Sequence, residues 1–265
     1  MLYEILYFLV IGSFAGLLGG LFGVGGGFLF IPAQIFIYNY YDIPKDLQIK
    51  LAICTSLAVV VFNTLAATQT HRKKGAINLP ILKKIVLSII LGAIFGGYLA
   101  KSFPSTLLEI IFGIMEFLFG LYFLLSPKMH ESSQPKKINF LVINIVFFLT
   151  TLFSVILGVG GGIFMIPILT FLRIPLKQSI GTSALTTLIV SFLGAASLLI
   201  PSLQSVTLPF AFGYLYLPAF IPLALGALVA APIGARLTHS LPTTYLKKGF
   251  GVLLLLLSLC ILIRE

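Results

Sequence analysis

The residues best placed to do chemistry are two short glycine runs, GVGGG at 23–27 and GVGGG at 158–162, each opening a matched stretch (GVGGGFLFIP and GVGGGIFMIP). Each lies inside a long apolar run. Clustered glycines weaken a helix by about 1 kcal/mol each relative to alanine, so the sequence predicts a helix break at each run. A helix restarting after Gly25, Gly26 and Gly27, or after Gly160, Gly161 and Gly162, begins with free N–H groups and the positive end of its dipole. Such an end suits an anion, and glycine lets an anion approach the backbone closely. Packing is the competing role, because small residues let membrane helices touch. Gly16/Gly20, Gly92/Gly96 and Gly226/Ala230/Gly234 have that spacing and read as packing positions. No GK[ST] follows either run, so neither is a nucleotide loop.

Other polar residues stand in apolar surroundings. Thr55-Ser56 and Thr182-Ser183 occupy matching places early in the next helix after each glycine run. Their hydroxyls could bind anion oxygens, or cap the helix by bonding its first N–H groups. Asn63, Gln34 and Gln69 could line a pathway or bond between helices. Glu116 lies mid-helix between Met115 and Phe117. A carboxyl at membrane depth is costly and commonly handles protons, though a protonated glutamic acid bonded to a neighbouring helix is an equal reading. His71 starts the basic tract HRKK; it could gate or attract an anion, or simply mark a membrane boundary. Thr106 and Glu109 have the T-x-x-E spacing of a capping box. The two cysteines, Cys54 and Cys260, have no CxxC or Cys/His neighbour, so no metal or disulfide is expected, and no cofactor.

The elements that must position these residues follow from composition. Of 265 residues, 59% are apolar and 9% charged, with mean hydropathy +1.13. Soluble domains carry roughly 25% charged residues. In lipid only helices or closed barrels satisfy the backbone, and continuous apolar runs near 20 residues are helices by length. The net charge of +10 sits in short clusters between those runs, a pattern that orients membrane proteins and gives no reason to expect nucleic acid. The expected class is an all-α polytopic membrane protein of 8–10 helical segments, with the lipid bilayer as its surroundings.

Two halves are legible. The glycine stretches match at an offset of 135; Ile43-Pro44 matches Ile174-Pro175, Thr55-Ser56 matches Thr182-Ser183, LAKSFP at 99–104 parallels LTHSLP at 237–242, and Phe112-Gly113 parallels Phe250-Gly251. The expected organisation is a first membrane repeat over 1–126, a polar linker over 127–138 and a second repeat over 139–265. Internal repeats in helical membrane proteins point to secondary transporters, with the site where the halves meet. If each opening segment is a hairpin turning at GVGGG, each half holds that hairpin plus three spanning helices and the halves are inverted. Then thirteen basic residues share one side and four (Lys45, Lys50, Lys101, Arg264) the other. The positive-inside rule prefers this to the single-crossing alternative, which shows no bias.

The sequence also resembles the TauE/SafE family of sulfite and organosulfonate exporters, also known as the toluene sulfonate uptake permeases. The paired GVGGG openings, HRKKGAIN at 71–78, IGTSAL at 180–185 and FGYLYLPAFIPLALGALVAAPIGARL at 212–237 carry the resemblance over nearly the whole chain. It implies a multi-pass permease of the cell inner membrane that moves sulfite, organosulfonates or related sulfur anions, usually outward. In the second half, 201–208 (PSLQSVTL) lacks the basic tract of 71–74, so the halves are not functionally equivalent at that loop.

The expected function is therefore a secondary exporter of small sulfur-containing anions coupled to the proton gradient. The alternative is a passive small-anion channel of the same fold, and a homo-oligomer is compatible with either. Neither HExxH nor GxSxG is present to suggest an enzyme. If Glu116 carries the coupling proton, Glu116→Gln should abolish gradient-driven accumulation in proteoliposomes while exchange of labelled anion persists. Wild-type pH dependence of net transport in that variant would remove Glu116 from the mechanism.

Overall fold

The computed structural model describes residues 2–125, 139–203, 206, 208–240, 248–249, 251–252, 254–256 and 258–259. The expected linker at 127–138 and Cys260 lie outside them. The described elements are α1 (Leu2–Phe22), α2 (Gly27–Tyr40), α3 (Lys45–Lys73), α4 (Leu79–Ser102), α5 (Ser105–Leu125), α6 (Phe140–Ile156), α7 (Gly162–Phe171), α8 (Leu176–Ser202), β1 (Ala211–Phe212), β2 (Leu215–Tyr216) and α9 (Leu217–Leu237). Six of these helices are long and apolar enough to cross a membrane. The polytopic helical class is the one expected from composition.

Both glycine runs break the chain as expected. α1 stops at Phe22 and α2 starts at Gly27; α6 stops at Ile156 and α7 starts at Gly162. Gly26 and Gly161, at the two N-caps, take left-handed φ of 88° and 107°, a region that costs other residues about 1–2 kcal/mol. The turn reverses the chain. Tyr7 in α1 donates to the Ala33 carbonyl of α2 at 3.4 Å, Tyr41 bonds to Glu4, and Gly26 lies against the Ala15 carbonyl. The beginning of α1 thus lies beside the end of α2. α7, at 10 residues, is about 15 Å long and cannot cross a bilayer.

Glycine contacts fix the directions of the long helices. A Cβ on Gly12 would stand 2.5 Å from the Leu223 carbonyl oxygen and one on Gly16 2.5 Å from the Ala227 Cα, while Gly20 meets Ala231. Numbers rise together, so α1 and α9 run parallel, backbone against backbone. Gly92 against Phe148 and Gly96 against Leu152 make α4 and α6 parallel in the same way. The spacing that marked Gly16/Gly20 and Gly92/Gly96 as packing positions was read correctly. α3 and α8 instead run antiparallel, with Leu57 near Gly194 and Asn78 bonded to Thr182. Thr55 and Ala67 of α3 meet Tyr216 at the start of α9 and Ala231 further along it, and Asn78 and Gly97 meet Thr182 and Ser197 of α8 in the same rising sense. So α3, α9 and α1 point one way, and α4, α6 and α8 the other.

Two local readings need correction. The segment 209–216 forms a two-stranded hairpin, with Ala211 paired to Tyr216 and Phe212 to Leu215, where only helix was expected. Positive φ at Phe210 and Gly213 turns the chain there, and no helix can hold those angles. Thr106 falls inside α5, and the hydroxyl at this helix start that bonds elsewhere is Ser105, to the Asp46 carbonyl at 2.5 Å. The capping-box spacing is met in sequence, with Thr106 lying one turn position too far in.

These directions put His71–Lys74, Arg173–Lys177 and Arg236 at one end of the bundle, and Lys45, Lys50 and Lys101 at the other. The positive-inside rule predicts that the first end faces the cytoplasm. Lys74→Cys in a Cys54→Ala/Cys260→Ala background should resist an impermeant thiol reagent in intact cells and react after permeabilisation. Labelling of intact cells would reverse the orientation.

Candidate functional site

The two glycine turns meet. A Cβ on Gly27 would lie 2.5 Å from the Gly158 carbonyl oxygen, and one on Gly162 would collide with the Val24 backbone. Each helix start therefore abuts the opposite turn, and only glycine allows that approach. The crossing lies against the middle of the longest helices: Gly25 and Gly160 both flank Val60 of α3 and Thr187 of α8. Residues 23–31 and 158–163 are buried. The N–H groups of Gly25, Gly26, Gly27, Gly160, Gly161 and Gly162 enter none of the described backbone hydrogen bonds. The first N–H groups of any helix lack partners within it, and buried ones are normally satisfied from elsewhere. The crossing thus concentrates donors and two positive dipole ends without a lysine or arginine. Its chemistry favours negative charge.

The serines of the two Thr-Ser pairs brace this crossing, and neither pair caps its own helix. Ser56 donates to the Gly158 carbonyl at 2.9 Å, and Ser183 donates to the Gly23 carbonyl at 3.0 Å. Thr182 Oγ1 accepts from the Asn78 N–H at 2.8 Å, and Thr55 Oγ1 accepts from the Tyr216 N–H at 3.0 Å. Ser56 thus holds the second glycine turn and Ser183 the first, while Thr55 and Thr182 hold the backbone leading into α9 and α4. α3 and α8 begin at Lys45 and Leu176, well before these hydroxyls, so capping is geometrically closed to them.

Asn63 also reaches the crossing. Its Nδ2 donates to the Gly25 carbonyl at 2.5 Å, beside Gly19 of α1. Its Oδ1 is buried with no described hydrogen-bond partner, and the same holds for Ser191 Oγ. A Cβ on Gly160 would lie 2.5 Å from that Ser191 oxygen. Ser191 was missed by sequence reasoning. Its signal was available, because Thr64 and Ser191 are separated by the same interval as Thr55 and Thr182.

Glu116 is buried at the edge of the same region. It lines a small cavity with Phe28, Val159, Ile163 and Phe164, of about 10 Å³ water-accessible volume, the size of one water. His71 lies apart, at the far end of α3. It is fully buried, with Nε2 3.3 Å from the Gly20 carbonyl oxygen and its ring 5.5 Å from that of His239. His239, beyond the end of α9, is held below the ordinary imidazole value by burial, with Lys177 and Lys74 adding to the effect. At the opposite end of the bundle, a depression of about 1010 Å³ is lined by Asn39, Lys45, Gln48, Lys50 and Tyr214. Its Tyr214 belongs to the hairpin held by Thr55. Gln34 sits elsewhere, bonded to the Phe30 carbonyl and to Tyr38. Among the described residues, no group of three or more His, Cys, Asp or Glu could hold a metal ion.

The serine braces are separable from the fold. A buried hydrogen bond contributes about 1 kcal/mol net, and an orphaned carbonyl can cost somewhat more. Ser56→Ala and Ser183→Ala should each lower thermal stability by about 1–2 kcal/mol. Because both braces hold one crossing, the double variant should depart from additivity in the unfolding midpoint. Strict additivity would mean that the two turns are held independently.

Comparison with known proteins agrees with this architecture. The family model for the sulfite exporter TauE/SafE matches residues 8–261. A probable membrane transporter protein of Haemophilus influenzae is 30% identical over 260 residues, covering 96% of this chain and 97% of its own length. A probable membrane transporter protein of Methanocaldococcus jannaschii is 28% identical, covering 90% of this chain and 88% of its own length. A third, from Bacillus subtilis, is 26% identical and covers 97% and 96%. No solved structure matches the chain. A multi-pass helical chain matched over nearly its whole length is a membrane transporter and not an enzyme, and it belongs to the TauE/SafE sulfite exporter family.

Proposed function

We propose that the protein is a secondary exporter of small sulfur-containing anions such as sulfite or organosulfonates in the cell inner membrane, and that it binds them at the crossing of its two glycine turns. The observation that carries this reading is the set of six buried glycine N–H groups gathered at two helix starts, without a resident cation. A buried lysine left unpaired when the site empties would cost several kcal/mol; backbone donors avoid that cost. Gly25–Gly27 and Gly160–Gly162 supply the donors. Ser56 and Ser183 hold the turns, Thr55 and Thr182 stand next to them in sequence, and these hydroxyls are available to the anion when their bonds exchange, with Asn63 beside them.

The opposed directions of α3 and α8, and of α1 and α6, support reading 1–126 and 139–265 as inverted repeats around this point. Inverted repeats suit alternating access. In that cycle the vestibule beside Lys45 and Lys50 serves the outer face, His71 borders the inner route, and Glu116, next to Val159 and Ile163, handles the coupling proton. The close backbone packing at the crossing favours a transporter over a standing pore, because glycine backbones pressed together must separate to let an anion pass.

Purified protein in proteoliposomes should move sulfite against its gradient when a proton gradient is imposed. Gly161→Ala tests the site itself. Space surrounds a Cβ at Gly161, with its nearest neighbour at 3.7 Å, so the variant should fold, at a cost of about 1–2 kcal/mol for the left-handed angle. The added methyl beside the N–H groups should weaken sulfite binding by about tenfold or more, equivalent to about 1.4 kcal/mol. Unchanged sulfite affinity in folded Gly161→Ala protein would refute the site.

A further inference from the structure

We infer that the crossing is built for an anion that still carries an acidic proton, so that the transported species is a singly protonated oxyanion such as hydrogen sulfite. This rests on the reading of the crossing as the anion site and narrows its ligand: hydrogen sulfite fits, whereas an organosulfonate, whose sulfonate oxygens carry no proton, does not.

The inference starts from one oxygen. Asn63 is 0% exposed, and its amide orientation is fixed by its own hydrogen bond. Reversing the amide would bring its oxygen against the Gly25 carbonyl oxygen, which stands 2.5 Å from the donor nitrogen. Oδ1 must therefore be the atom left without a described partner. An amide oxygen can only accept. In a site otherwise made of N–H donors it is the wrong group for an anion that offers acceptors alone. Dianions such as sulfite, sulfate or thiosulfate would set an oxygen against an oxygen. An anion with one O–H resolves the mismatch: its proton goes to Asn63 Oδ1, and its unprotonated oxygens face the glycine N–H groups.

A second oxygen fits the same division of labour. Ser191 is also 0% exposed, and its Oγ has no described partner while lying against Gly160. A hydroxyl can donate or accept, so Ser191 can supply a further donor to the unprotonated side. Thr187 and Val60 lie between the two turns and stand next to both Gly25 and Gly160. The residues named around Asn63 and Ser191 include no titratable side chain, so the proton in this arrangement belongs to the ligand. Burial sharpens the choice, since a buried acceptor left unpaired rejects a ligand that lacks the matching donor.

The discriminating pair is hydrogen sulfite and methanesulfinate, both monoanions, in which a methyl group replaces the hydroxyl. Binding is measured on the purified full chain at one mildly acidic pH, so that the protein's own titration does not enter. Wild-type protein should bind hydrogen sulfite about tenfold or more tighter than methanesulfinate, and thiosulfate more weakly still. Asn63→Leu should reduce that preference to about one, whereas Ser191→Ala should weaken both ligands and keep it. The wild-type ratio stands as a test even if Asn63→Leu fails to fold. Equal binding of the two monoanions, still lost in Gly161→Ala, would overturn the protonated-ligand inference and leave the site. Binding indifferent to Gly161→Ala, or no binding of any of these anions, would overturn both.

Discussion

The backbone contact between Gly27 and the Gly158 turn, with its counterpart between Gly162 and Val24, is the constraint on which the other features depend. No side chain larger than hydrogen fits at either place. Because the turns touch, α2 and α7 begin at one point, and their dipoles add there instead of dispersing over the bundle. Because they touch backbone to backbone, their carbonyls can be held by Ser56 and Ser183 from the far side. Half-helices starting inside a membrane expose polar backbone that lipid cannot satisfy. This arrangement is tolerable only when enclosed, and α3 and α8 enclose it.

Much of this was legible because glycine and apolar length are local signals. Four glycines in five residues cannot sustain a helix in lipid, whatever surrounds them, and the small-residue spacing of α1, α4 and α9 requires close neighbours in any fold. The family followed from extended motifs, and the whole-chain match agrees with it. What stayed hidden depends on partners distant in sequence. Thr55 and Thr182 look like caps because their hydroxyls sit near expected helix starts, yet α3 and α8 begin earlier and each threonine bonds across the molecule to Tyr216 or Asn78. The hairpin at 211–216 was hidden for a different reason: its apolar aromatic residues extend the hydropathy of α9 without interruption.

The site was half legible for the same physical reason. Asn63 stood out as an amide in an apolar run, but only folding reveals that one end of the amide is used and the other is left over. Ser191 was inconspicuous beside many serines and threonines in α8. Its meaning comes from the turn it touches. Glu116 could be singled out by cost alone, and the structure adds its neighbours: the first residues after both breaks, Phe28 and Ile163.

The seam between α1 and α9 bears on how the protein is made. These helices lie in register along Gly12, Gly16 and Gly20, yet they are the first and the last long helices described. A ribosome delivers α1 to the membrane long before its partner exists. Its apolar surface can wait in lipid, and its glycines present a groove that stays open until α9 arrives. Closure of this seam is therefore tied to the synthesis of α9: a product truncated before α9 leaves α1 unclasped, and with it the glycine turn that α1 delivers to the centre.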